Sequence, residues 1–197
     1  MTSDAAASDS ALAALAAAGD DRAFSALVQR HKDKLYRLLR RYTADSDEAY
    51  EAVHEAFIAA WGALARYDPE RPFATWLRTI AINKARDRGR RMVVRRLIFG
   101  ARGLDHAEVE NTVDPATPAD RLVIDQEAAR RLDKAIGRLP DTLKGPLLLT
   151  AFEGYSQREA GEILGVSSKT IETRVSRARR LLAAHLGDDT RSPRDCV

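Results

Sequence analysis

The sequence predicts an all-α protein: two small helical domains joined by a flexible linker, the C-terminal one a helix-turn-helix. Apolar residues recur at three- and four-residue spacing over most of the chain, and no stretch alternates in the manner of a half-buried strand. The periodicity lapses only over residues 92–119, where Gly100, Gly103, Asn111, Pro115 and Pro118 gather. A chain of 197 residues, 45% hydrophobic, is long enough and apolar enough for one or two such domains with cores of their own.

The spacing divides the chain into residues 1–19 as an N-terminal tail, 20–91 as a first domain, 92–119 as the linker, 120–187 as a second domain and 188–197 as a C-terminal tail. Between Asp20 and Tyr42 the positions Phe24, Leu27, Val28, Leu35, Leu38 and Leu39 share a helical stripe. A second helix starts at Asp45, with Asp45 and Glu48 spaced as a capping box. Its continuous apolar face runs through Ala49, Ala52, Val53, Ala56, Phe57, Ala60, Trp61 and Leu64, and Tyr67-Asp68-Pro69 ends it. A third helix opens at Pro72, a favourable first-turn residue, and runs toward Arg90 with Phe73, Trp76, Leu77, Ile80 and Ala81 on one side.

After the linker, with one helical turn expected near residues 93–99, the helical signal resumes at Asp120, placing Ile124, Ala128, Leu132, Ile136 and Leu139 on one face. Leu139-Pro140-Asp141 punctuates. The apolar segment 143–152 carries Gly145-Pro146, and because proline lacks the amide a helix interior uses, its helix is expected to begin only there, with Pro146 in the first turn. The sharpest local pattern is 156–186. Ser156 and Glu159 have capping-box spacing, Ala160, Ile163 and Leu164 point inward, Gly165 suits the left-handed residue that ends a helix, and Ser167 caps the next helix. Two helices around so short a turn make a helix-turn-helix.

Composition narrows the function. The formal net charge is only +3, but residues 84–102 carry eight cations against Asp87 alone, a local +7, while residues 105–127 hold seven acids against Arg121, a local −6. A basic block beside an acidic one favours a polyanion at one place and repels it at another, although an arginine-rich solvated helix end reads the same way. No run approaches the roughly 20 apolar residues of a membrane span. The alanine-rich stretch 11–18 lacks preceding basic residues and fails as a signal peptide. The one cysteine, Cys196, can close no internal disulfide, so a reducing cytoplasm is the expected location.

An enzyme reading finds little. His54-Glu55 starts like a zinc-protease motif, but Ile58 stands where the second histidine belongs. His31, His54, His106 and His185 show no ligand spacing, and neither a phosphate loop nor a serine elbow is present. No catalytic residue, metal or cofactor is therefore expected.

Two helices carry binding chemistry instead. At about 100° per residue, Ile171, Val175, Ala178 and Leu182 face inward on the last helix, and Lys169, Thr173, Ser176 and Arg180 face outward with Arg177 at the edge. Cations beside short hydroxyl residues suit phosphates and base edges in a major groove. In a DNA-reading helix-turn-helix the N-terminal part of the second helix meets bases, which favours Lys169, Thr170 and Thr173, with Arg174, Arg177 and Arg180 on phosphates. The segment RPFATWLRTIAINKARDRGRR (residues 71–91) interleaves Trp76 with Arg78, Asn83, Lys84, Arg86, Arg88, Arg90 and Arg91, the mixture of cations, aromatic and amide that single-stranded sites use. Phe73, Trp76, Leu77 and Ile80 share a stripe and belong mostly to the core, whereas Asn83 stands at the stripe's margin.

In order and spacing these motifs resemble the extracytoplasmic-function (ECF) sigma factors, dissociable promoter-recognition subunits of bacterial RNA polymerase. AYEAVHEAFIAAW (residues 49–61) resembles the family's polymerase-binding helix, RPFATWLRTIAINKARDRGRR its promoter-melting helix, and LPDTLKGPLLLTAFEGYSQREAGEILGVSSKTIETRVSRARRLL (residues 139–182) its minus-thirty-five-reading domain. The resemblance implies an alternative sigma factor whose partners are core RNA polymerase, promoter DNA and an anti-sigma factor, with no direct membrane insertion and no cofactor.

It further implies core-polymerase contacts at Glu51, His54, Glu55, Ile58 and Trp61, with His54 standing where the family often has glutamine. Trp76, Asn83, Arg86 and Asp87 match positions at the upstream edge of the melted bubble and the captured minus-ten base; Lys84, Arg88, Arg90 and Arg91 extend that surface, the last three on phosphates. Lys169, Thr170, Thr173, Arg174, Ser176, Arg177 and Arg180 fall on the minus-thirty-five reader. The acidic linker would thread toward the polymerase active-site cleft. A stand-alone helix-turn-helix regulator acting as a dimer explains residues 156–186 equally well, and a helical adaptor explains the apolar stripes; neither uses both cationic helices.

Overall fold

The computed structural model describes residues 7–99 and 119–190. Most of the linker 92–119, with His106 and much of the acidic block, and the tail that carries Cys196 lie outside the described residues.

Among the described residues eight α-helices form two groups. In the first, α1 (Asp9–Ala17), α2 (Asp21–Thr43), α3 (Ser46–Ala63) and α4 (Phe73–Phe99) pack together, with a 3₁₀ turn at Leu64–Arg66. The reason α3 packs so closely on α2 and α4 is a ridge of alanines: Ala49, Ala52, Ala56 and Ala60 are each fully buried and bring the backbones near, while Leu27, Leu38, Leu39, Leu77 and Ile82 fill the space around them. Asp20 caps α2 by accepting from the amides of Arg22 and Ala23 at 2.9 and 3.2 Å. Asp45 caps α3, accepting from Glu48 N at 2.8 Å. The reciprocal half of the expected capping box is not made, because the Glu48 carboxylate is drawn to Arg88 at 2.9 Å.

Two expectations about this half are corrected. The tail read over residues 1–19 contains α1, capped by Ser8 and docked through Leu12, Ala13 and Ala16. Short and alanine-rich, it is weak as an isolated helix, so packing decides its existence. Asp9 anchors it to α2 through Arg30 (3.0 Å) and His31 (2.7 Å). The third helix, expected to end near Arg90, continues to Phe99, and the helical turn expected near 93–99 is its last stretch.

The second group comprises α5 (Ala119–Gly137), α6 (Asp141–Leu147), a π-helical segment (Leu148–Phe152), α7 (Gln157–Leu164) and α8 (Ser168–Thr190). Here α6 begins at Asp141 and not at Pro146, so the proline sits inside the helix and is buried. Its missing amide loses only one helical bond, and the widened π turn follows directly, with Thr150 Oγ1 donating to the Pro146 carbonyl at 2.8 Å. The helix-turn-helix forms as expected. Ser156 and Glu159 make a complete capping box, Gly165 adopts the left-handed conformation (φ 66°), and Ser167 Oγ accepts from Thr170 N at 3.2 Å. Gly161 is required in α7: a Cβ there would stand 2.6 Å from the Val166 carbonyl oxygen in the turn. The last helix runs past the expected boundary at 187 to Thr190.

The two groups touch. Arg78 of α4 forms a charge pair with Glu153, just after the π segment, donating from Nη2 at 2.7 Å and Nε at 3.0 Å. Arg41 of α2 stacks over Phe152 (4.6 Å) and pairs with Asp133 (3.6 Å). At the C-terminal end of α2, Gly137 comes so near that a Cβ on it would stand 2.8 Å from that of Ala44.

Candidate nucleic-acid interface

The helix-turn-helix presents α8 as the sequence predicts. Ile171, Val175 and Ala178 are buried, Leu182 is half-buried, and Lys169, Thr173, Ser176, Arg177 and Arg180 are exposed. Thr170 and Arg174 sit at the margins, half-buried. The hydroxyls are partly committed within the helix: Thr173 Oγ1 donates to the Lys169 carbonyl at 3.0 Å, and Thr170 Oγ1 lies 2.9 Å from Ser167 Oγ. Lys169 holds Glu172 at 2.9 Å on a highly exposed surface, a contact that water weakens. Arg177 and Arg180 have no ion-pair partner among the described residues and are free to meet phosphates.

The α4 surface is arranged differently. Trp76 is half-buried in an aromatic cluster, its ring centroid 5.1 Å from Tyr67 and 5.5 Å from Phe73, so one face packs and one edge reaches solvent. Asn83 lies exposed nearly two turns further along the same side, with Asp87 and Arg90 beyond it paired to each other. Lys84 and Arg86 are half-buried. Arg88 bridges two acids of α3, Glu48 at 2.9 Å and Glu55 at 2.6 Å, and these carboxylates hold its guanidinium firmly in the charged form. Arg91 reaches Glu55 at 3.8 Å. Two sets of residues that the sequence assigns separately thus meet: Glu55 of the polymerase-facing set neutralises Arg88 and Arg91 of the DNA-facing set.

On the opposite side of α3, Tyr50, Ile58 and Trp61 are exposed large apolar residues around a cleft of about 450 Å³ that Phe24, Val28 and Phe57 also line. The Trp61 ring stands edge-on to Phe24 at 4.8 Å. Glu51 and His54 are exposed on the same helix, His54 at the cleft itself. An open apolar cleft with aromatic walls suits a partner helix.

Sequence reasoning missed the Arg78–Glu153 pair and the need for glycine at 161. Arg78 stood among other cations with nothing to mark it as buried; the Cβ clash at Gly161 exists only once the turn has folded back. Among the described residues no three His, Cys, Asp or Glu side chains converge as a metal site, and no helix is long and apolar enough to cross a membrane.

Residues 27–93 match the Sigma-70 region 2 model, and residues 129–182 match a Sigma-70, region 4 model. The chain is 39% identical over 187 residues to the RNA polymerase sigma factor CnrH of Cupriavidus metallidurans, covering 92% of this chain and 96% of that protein. It is 33% identical over 175 residues to the ECF RNA polymerase sigma factor SigW of Bacillus subtilis, covering 86% and 92% respectively. The solved structure of CnrH in complex with the cytosolic domain of CnrY superposes with a TM-score of 0.62 at 35% identity, covering 93% of this chain and 99% of that one. The region 2 match over α2–α4 leaves the reading as a stand-alone helix-turn-helix regulator without support.

Proposed function

The chain belongs to the ECF group of RNA polymerase sigma factors, alternative sigma factors that direct promoter-specific transcription initiation, and we propose a division of that work among its three surfaces. Helix α3 docks on core polymerase through His54, Ile58 and Trp61 at the cleft and through Glu51 and Glu55 outside it. The α4 surface, through Trp76, Asn83, Lys84, Arg86, Asp87, Arg88, Arg90 and Arg91, captures and holds the melted minus-ten element. The outer face of α8, through Lys169, Thr170, Thr173, Arg174, Ser176, Arg177 and Arg180, reads the duplex minus-thirty-five element. The two domains, placed by the sequence at residues 20–91 and 120–187, take in α1–α4 and α5–α8, with residues 100–118 joining them.

The observation that carries this reading is the contrast in exposure between the two cationic helices. The α8 face offers unpaired arginines beside short hydroxyls, which suits a phosphate-lined groove. The α4 face offers an exposed amide next to a half-buried indole, which suits a base taken out of its stack. Bond making belongs to the polymerase; this chain supplies recognition and strand separation. It works in the bacterial cytoplasm and is held in check by an anti-sigma factor, since the similar CnrH is known in complex with the cytosolic domain of CnrY. Run-off transcription with bacterial core enzyme tests the proposal: a specific transcript appears only when the chain is added. Duplex binding by the chain alone at full affinity, with no transcript from the mixture, would overturn it.

A further inference from the structure

The contact between the two domains combines apolar packing, cation–π contacts and ion pairs. Arg78 and Glu153 are 10% and 15% exposed at their side chains, the most buried Arg/Lys–carboxylate pair among the described residues. Both guanidinium donors, Nε and Nη2, converge on one carboxylate oxygen, and the Tyr155 ring lies 5.4 Å from the guanidinium carbon. Arg41 over Phe152 and the close approach at Gly137 continue the contact along α2. Phe152 ends the π segment and Glu153 follows it directly.

This contact leaves Trp76 and Asn83 open, although α6 approaches the basic run of α4, where a Cβ on Gly89 would stand 3.7 Å from Asp141 Oδ2. On α4, Arg78 lies across the helix axis from Trp76 and Asn83, and Asn83 remains exposed, as does the outer face of α8. What it fixes is the distance between them. A compact chain of about 200 residues has a radius of gyration of about 16 Å, hence a width of about 40–45 Å. Elements named for positions ten and thirty-five lie about 25 base pairs apart, or about 85 Å along B-form DNA at ~3.4 Å per pair. The closed chain is too short to reach both. Once the contact parts, the 19 residues 100–118 can extend by up to about 65 Å, and the two domains together then span the interval.

We propose that the Arg78–Glu153 pair is a latch that holds the free sigma factor in a closed form able to meet one promoter element at a time, and that its release lets the two domains span both elements. The proposal rests on the assignment of α4 and α8 to the two elements. A buried ion pair suits a latch because its attraction is nearly balanced by the hydration both groups regain on opening, so a partner with a modest preference for the open form can tip it. The closed fraction lowers apparent affinity for any partner that needs the open form, and weakening the latch removes that penalty.

The test places fluorescent donor and acceptor dyes on the full-length chain at two exposed positions, Arg22→Cys in the first domain and Glu162→Cys in the second, with Cys196→Ser. The parent chain gives high energy transfer. Glu153→Ala, which leaves Arg78 buried without its partner, lowers transfer at least twofold and raises the association rate with core polymerase by roughly three- to tenfold. Arg78→Ala does the same, and the double variant opens no further than either single one. If Glu153→Ala loses helix content, Arg78→Lys, which keeps the charge but not the two-pronged donor, gives an intermediate transfer value. Unchanged transfer in correctly folded Glu153→Ala and Arg78→Ala overturns the latch, as does opening without faster association. Energy transfer needs neither polymerase nor DNA, so a parent chain inactive in run-off transcription indicts the functional assignment and leaves the latch measurement intact.

Discussion

The two cationic helices of this sigma factor use arginine in opposite ways. On α8 the outward arginines have no carboxylate partner among the described residues, and α7 and the inward apolar stripe hold the helix in place without them. On α4 four of the six cations whose side chains are described are held by carboxylates: Arg78 by Glu153, Arg88 by Glu48 and Glu55, Arg90 by Asp87, and Arg91 by Glu55. A basic run in a sequence therefore means two things. Where packing is complete without charge, the cations are left for a ligand. Where a long helix must be tied to acidic neighbours, the same residues become structural, and the surface proposed for the ligand falls to what remains, here Trp76, Asn83 and the half-buried Lys84 and Arg86.

The most severe way to break the comparison is to remove one of its members. Gly161→Val forces a side chain against the Val166 carbonyl and should destabilise the α8 domain by about 3 kcal/mol. Its melting transition then falls by about 10–20 °C, while helices α1–α4 keep theirs. A single unshifted transition in calorimetry would contradict the tight turn. Next comes Trp61→Ala, which strips the aromatic wall of the cleft and should weaken core-polymerase binding about 30-fold, or about 2 kcal/mol, without affecting the isolated chain's helix content. Equal affinity in a fluorescence titration would move the docking surface elsewhere.

Asn83→Ala probes the α4 side directly. It should slow strand opening about tenfold, read by permanganate reactivity of unpaired thymines, and leave closed-complex formation within about twofold. Normal reactivity would remove Asn83 from base capture. On α8, Arg177→Ala should cost about 1 kcal/mol on every promoter and reduce the salt slope by about one, whereas Lys169→Ala should reorder preference among minus-thirty-five sequences. Identical losses for both across a sequence panel would erase the distinction between phosphate and base contacts.

The smallest effect concerns α1. His31, half-buried against Asp9, has its pKa lowered by burial, with Asp9 pulling partly in the opposite direction. Because the folded-state value lies below the unfolded one, the unfolded chain takes up the proton first as pH falls through about 6.5. Stability is therefore lost on acidification across that interval. The drop in Tm between pH 8 and pH 5.5 should be about 1–2 °C smaller in His31→Gln than in the parent; an equal drop would mean that the α1 anchor does not titrate there.

Much of this was legible beforehand. The helix-turn-helix, its capping box, Gly165 and the outward face of α8 all follow from residues within a few positions of one another, and so does the apolar stripe of α3. The signals that misled were those whose partners lie far away. The second half of the cap at Asp45 failed because Arg88, forty residues on, competes for Glu48. Pro146 did not start a helix because burial among Leu143, Leu147 and Leu148 outweighs one lost amide bond. The short helix α1 looked like a tail because its stability comes from the surface it covers.

Local chemistry thus determined the all-α class, the two-part division, the turn between α7 and α8 and the family to which the chain belongs, since propensity, capping and periodicity act over three or four residues and are written in the order of the chain. Tertiary structure alone decided which arginines are tied and which are free, that Gly161 must lack a side chain, and that Arg78 meets Glu153 across 75 positions. A charge declares its sign in the sequence, but its partner is chosen only when folding brings distant carboxylates within reach and takes the water away.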